Sequence, residues 1–283
     1  MKRLKNGAKP SVRRKTARGA VTSPSKATVP SDAKKRRNAS QTEAAVDLIR
    51  SRIIDMSLEP GSKLDEPLLI NHFKLGRTPA REAINRLIAE GLVNIFPNRG
   101  GTFVRGLDFG EIGEVLVANQ LVESVLAQLC RFDDPGLVQD LEEIQARYTG
   151  EVRMKSFLGI TSTNQEFHLR MHRSIGNALF YEFALSTHRH VRRLLVLVYK
   201  MENTKKSLLE SRLQINLNEH LQIIDAIRHS DRGALNELLP AHARQTQTRL
   251  QEILNDKTVP PLSLDRLTSD IFGMMPFSKA TRG

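Results

Sequence analysis

Arg77, Arg81 and Asn85 recur every four residues in GRTPAREAINRLIAEG, a spacing that lines them along one edge of a helix. Arg offers a fork of N–H donors and Asn a paired donor and acceptor, so this edge has the chemistry to hydrogen-bond guanine, adenine and phosphate. A second constellation lies further on: Asn164 and His168, again four apart, then Glu219-His220, then His242. A spacing of four on one helix lets two side chains converge on a metal ion. His220 and His242 fall on two later helices, so a shared centre requires three helices to meet. His172, four residues beyond His168, is placed equally well, and spacing alone does not choose between them.

The elements that must position the first group read clearly. Ala80, Ala83, Ile84, Leu87 and Ile88 form the apolar stripe of an amphipathic helix, with Thr78 as the expected cap, Pro79 at the first helical position and Gly91 at the end. Leu92 to Phe96 and Thr102 to Val104 read as two strands around a Pro-Asn-Arg-Gly-Gly turn that carries Arg99 and Gly100. Upstream, Ala45, Leu48, Ile49, Ile53 and Met56 predict a helix that stops at Pro60-Gly61. Asp65 to Phe73 predicts a short second one, with Leu68, Leu69 and Phe73 inward. Three helices and a hairpin within 41–107 make a winged helix-turn-helix, whose third helix enters the major groove while the hairpin reaches the backbone or minor groove.

Beyond it the periodicity is helical throughout, with helices expected near 109–132, 135–150, 157–175, 178–203, 207–229 and 232–254. The expected fold class is therefore mainly α: an N-terminal winged helix-turn-helix (41–107) and a C-terminal all-helical bundle (108–254). A tail (255–283) follows, and residues 1–40 precede them. That leader holds 13 Lys/Arg and one Asp, so the net charge of +12 belongs to it and the remaining 243 residues, with 30 of each sign, net to zero. Nearly devoid of bulky apolar side chains, it is expected to be a disordered basic arm adding salt-dependent attraction to phosphates.

With no run of about 18 apolar residues, the chain is not expected to span a membrane, and no secretory signal follows its basic start. The single Cys130 excludes an internal disulfide framework and fits a reducing cytoplasm.

The run PGSKLDEPLLINHFKLGRTPAREAINRLIAEGLVNIFPNRGGTFV resembles the GntR family of bacterial transcriptional regulators, with Gly76 where the family commonly has Ser or Thr. The resemblance implies base or phosphate contacts for Arg77 and Arg81 on the helix and for Arg99 and Gly100 in the wing; Thr78 stands in for the missing Ser or Thr, and Asn85 joins the contacts by its place on the same edge. The C-terminal half resembles the FCD effector module of the FadR subfamily, through Asn164 to His168, Gly176-Asn177, Glu219-His220, Ala226-Ile227 with Asp231, and His242. In that module an acidic residue and three His hold a divalent metal, often Zn²⁺ or Ni²⁺, beside a pocket for a small carboxylic acid. Carried over, the metal set is Asn164, His168, His220 and His242, with Asn164 in place of the usual Asp. Asn119 replaces an Arg that often stands four residues before the Glu matched by Glu123. Arg192 and Arg193, one turn beyond His188 and His190, are the candidates to supply that charge to the effector.

The expected protein is a ligand-responsive repressor, not an enzyme, that binds a near-palindromic operator as a homodimer. One rival keeps the DNA-binding head over a metal-sensing or purely oligomerising bundle. Another, a metal-dependent hydrolase, lacks a general base, because helix geometry turns Glu166 and Glu219 away from the neighbouring ligands.

Overall fold

The computed structural model describes residues 31–203 and 206–255. The first helix, α1 (Ser31–Ile54), begins ten residues before the expected start, inside the stretch read as a disordered arm. Ala, Lys and Arg there are good helix formers that extend an already nucleated helix at little cost, even without an apolar stripe. Residues 1–30 of the expected arm, and the tail from 256 onward, lie outside the described residues.

Two short helices follow, α2 (Glu66–Asn71) and α3 (Arg77–Ala89), then the strands β1 (Val93–Phe96) and β2 (Gly101–Val104). Asp65 caps α2 by accepting from the Leu68 N–H. The cap of α3 is Gly76, with no side-chain bond, so Thr78 lies in the first turn and Pro79 at its third position. Pro there still removes one of the four N–H groups that have no helical partner. The strands pair antiparallel, Val93 opposite Val104 and Phe96 opposite Gly101, across a single 3-10 turn at Pro97–Arg99. Gly100 closes that turn at φ 68°, the left-handed region in which a Cβ is strained. Leu64 N–H to Thr102 O and Val104 N–H to Ser62 O add the segment 61–64 to the free edge of β2.

The head's core is the stripe the periodicity predicts: Ala45, Ile49 and Ile53 of α1 against Ala80, Ala83, Ile84 and Leu87 of α3, with Leu64, Leu69, Leu92 and Val104 beneath. Leu87 is fully buried, so truncation to Ala costs about 2–5 kcal/mol. Arg50 clips α1 to the end of α3 through two bonds to Glu90, at 2.8 and 2.6 Å.

The body comprises α4 (Phe109–Leu129), α5 (Leu137–Met154), α6 (Phe157–Ser174), α7 (Ala178–Glu202), α8 (Lys206–Arg228) and α9 (Arg232–Asn255). The helix expected to stop at Gly150 continues to Met154 and ends at Lys155, φ 54°. α4 lies along α9 and α7, α6 between α5 and α7, and α8 between α5 and α9. Arg170 of α6 holds the α4–α5 turn by bonding Asp134 (2.8 Å) and Asp140 (2.6 Å).

Head and body are joined through α7. Arg193 Nη2 donates to the Arg105 carbonyl (2.7 Å), Lys200 Nζ to the Asp55 carbonyl (2.8 Å), and Arg189 lies 3.6 Å from Glu90. Leu107 and Ile112 pack with Leu194, Val198, Leu250 and Ile253, and half-buried Met56 of the head packs against this cluster. Among the described residues no helix is long and apolar enough to cross a membrane.

Candidate DNA-reading edge and buried histidine centre

On α3 the apolar stripe faces inward, while Arg77, Thr78, Arg81 and Asn85 are exposed. The expected reading edge is therefore a free surface. Arg81 Nε donates to Glu66 Oε1 at the start of α2 (2.7 Å), an exposed pair that sets the resting direction of the guanidinium at little energetic cost. Gly100 is exposed at the wing tip; Arg99 stands beside it in the 3-10 turn, its side chain outside the described part.

In the body, five helices turn polar side chains toward one place. α6 contributes Asn164, His168 and His172, α4 Asn119 and Glu123, α7 His188, α8 Asn216 and His220, and α9 His242, Thr246 and Arg249. Spaced by three or four on their own helices, they are all buried. Ligating atoms of His168, His220 and His242 lie within 4.8 Å of one another.

A partner fixes each of these three rings. His168 Nδ1 donates to Glu123 Oε2 (3.0 Å), His220 Nδ1 to Gln145 Oε1 (2.9 Å) and His242 Nδ1 to Glu219 Oε2 (2.7 Å). Because each partner is a carboxylate or amide oxygen that accepts, every Nδ1 carries the proton and Nε2 keeps a lone pair for a metal. The Gln145 amide is oriented by its own donation to the Leu217 carbonyl (3.2 Å). His220 Nε2 is buried with no hydrogen-bond partner among the described residues, the condition a bound cation relieves. Burial pushes His168, His188 and His220 below the usual imidazole range, toward the neutral form that ligates. The donor set thus fits a divalent ion.

The cavity at this centre is small, about 30 Å³. Asn119, Glu123, Asn164, His168, His188 and Arg249 are among its walls.

Residues 41–104 match the family described as bacterial regulatory proteins, gntR family, and residues 114–245 match the FCD domain. The chain belongs to the GntR family. Among its relatives is the gluconate operon transcriptional repressor of Bacillus subtilis, 25% identical, with the match covering 72% of this chain and 83% of that one. Similar solved structures include a GntR regulator from Rhodococcus sp. RHA1 (22% identical, TM-score 0.61, covering 76% of this chain and 98% of the other). E. coli McbR/YncC is another (15% identical, TM-score 0.60, covering 75% and 97%). These structures share the fold. Because the family and its relatives are transcriptional regulators, the hydrolase reading falls away.

Two expectations about this GntR regulator's effector pocket are corrected. Arg192 and Arg193 do not line the cavity. Arg193 stands about 140° around α7 from His188, fully buried and aimed at the Arg105 carbonyl, and burial pushes its guanidinium down to about 10. Arg192 is half-buried, and burial lowers it too. The arginine at the cavity is instead Arg249, paired with Glu202 and stacked 4.6 Å over the Tyr199 ring. Its signal was present in the sequence: seven residues beyond His242, it lies on the same face of α9. Asn119 does line the cavity, with its Oδ1 buried and unpartnered among the described residues.

Glu219, read as turned away from its neighbour His220, reaches across to His242 on the next helix. Glu166 does point outward, to Arg147 (2.6 Å). Spacing on one helix leaves His172 level with His168 and does not single out Glu123 or His188, because it says nothing about which helix faces which.

Proposed function

We propose that this GntR regulator is a repressor of the FadR subfamily that binds a near-palindromic operator in double-stranded DNA as a homodimer. It acts in the bacterial cytoplasm, associated with the nucleoid. Arg77, Thr78, Arg81 and Asn85 read or hold the major groove, and Arg99 and Gly100 the flanking backbone. Pairing suits a two-fold operator, and exposed Val117 and Leu121, one turn apart on α4, offer an apolar strip for it. The bundle holds a divalent metal, Zn²⁺ or Ni²⁺, on His168, His220 and His242 with Asn164. The observation that carries this is the set of three imidazoles whose Nδ1 atoms are all committed to acceptors.

The effector is a small carboxylate that completes the ion's coordination. Asn164 brings no charge, so the ion keeps its full +2 toward an anion and is held less firmly without one. Asn119 would offer the effector a hydrogen bond. The cavity is small, about 30 Å³, so seating an acid beside the ion would shift its walls, and that motion is available to move the head. The same volume favours a second reading, a body that responds to the metal alone.

Thermal shift against a panel of small carboxylates, with and without Zn²⁺, separates the two. Stabilisation by an acid only when metal is present supports the first reading; stabilisation by metal with no response to any acid supports the second. A full complement of metal that survives mild chelation without any acid contradicts the weakened site.

A further inference from the structure

Glu123, His172 and His188 sit beside the centre just described, on α4, α6 and α7, and all three are buried. Glu123 Oε1 lies 3.3 Å from His172 Nε2 and 3.1 Å from His188 Nε2, and the two nitrogens are 3.3 Å apart. Ligand atoms about 2.0–2.1 Å from a tetrahedral ion stand about 3.3 Å from each other, so this near-equilateral triangle has the dimensions of one face of a coordination shell.

Hydrogen bonds close it only in part: with one Nε2 protonated, that N–H can donate to Glu123 Oε1 or toward the other nitrogen, while His172 Nδ1 stays buried with no hydrogen-bond partner among the described residues. If both Nε2 atoms carry protons, both aim at one oxygen and the nitrogens meet donor to donor. If neither does, three lone-pair-bearing atoms face one another in a dry interior, at the cost of unpaired buried polar atoms.

We propose that Glu123, His172 and His188 form a second divalent-cation site, separate from the His168, His220 and His242 centre. Two imidazoles and a carboxylate suit a borderline transition ion such as Zn²⁺, Co²⁺ or Fe²⁺. Glu123 links the two sites, since its Oε1 faces the new ion while its Oε2 accepts from His168 Nδ1 and orients a ligand of the first. The site does not rest on the first centre being filled.

The test loads the full chain with Co²⁺, removes free metal and counts bound ions by mass spectrometry and visible ligand-field absorption. The paired variant H172A/H188A is compared with H220A/H242A, with circular dichroism confirming the fold of each. The proposal expects one equivalent lost from the first variant and an equivalent kept by the second. It is overturned if H172A/H188A binds as much Co²⁺ as the wild type, or if the wild type binds none. Should the variants fail to fold, anomalous diffraction from Co²⁺-loaded wild-type crystals decides. A peak within about 2.3 Å of Glu123 Oε1 and both Nε2 atoms supports the site, and a peak only among His168, His220 and His242 overturns it.

Discussion

Arg81 is held by Glu66 while its face of α3 lies open to solvent, so the ion pair orients the side chain without contributing much to the fold. Replacing Arg81 with Ala is expected to weaken specific operator binding about ten- to hundredfold in fluorescence anisotropy while leaving the melting temperature essentially unchanged. In the body, Gln145 is the partner that orients His220 toward the proposed metal site. Gln145→Leu is therefore expected to lower metal affinity about 10- to 100-fold in chelator competition, with the native helical spectrum retained; unaltered affinity would remove Gln145 from that role. The α3 edge and the Asn164–His168 pair were legible because both obey helical spacing on a single element. Arg249 and the Glu123, His172 and His188 trio were not, since periodicity tells which face of a helix a residue occupies but not which helix faces it.

Among the elements, α7 joins the two halves of the molecule. His188 reaches the buried centre on one side, while Arg189 and Arg193 touch Glu90 and Arg105 of the head, and Lys200 reaches Asp55. Arg193 is fully buried and its Nε and Nη1 find no hydrogen-bond partner among the described residues, so its charge is held at a cost. Arg193→Met is expected to be neutral or stabilising in thermal denaturation while reducing the effect of metal on operator affinity. A large loss of stability would show instead that the guanidinium is needed to hold the fold. The helices of the body were readable almost to their ends, because their apolar stripes repeat. The early start of α1 was not, because residues 31–40 carry no such stripe and only their helix propensity marks them.

At the scale of the whole molecule, two sources of DNA affinity separate by charge. Residues 41–107 hold nine basic and eight acidic groups, so a few placed side chains must carry sequence preference, whereas residues 1–30 hold nine Lys/Arg and no acid. Deleting residues 1–30, which leaves the described α1 whole, is expected to lower affinity and flatten its salt dependence while preserving preference for the operator. Loss of preference on that deletion, with Arg81→Ala silent, would reverse this division of labour. The central claim is that ligation inside the bundle biases the head, and coupling of that kind must be reciprocal. The most direct measurement is a closed cycle on the wild-type chain: operator affinity with and without Zn²⁺, and Zn²⁺ affinity with and without operator. The account predicts that the two ratios are equal and differ from one by about 5- to 150-fold. Operator affinity that is the same in chelator and in saturating Zn²⁺ would contradict it.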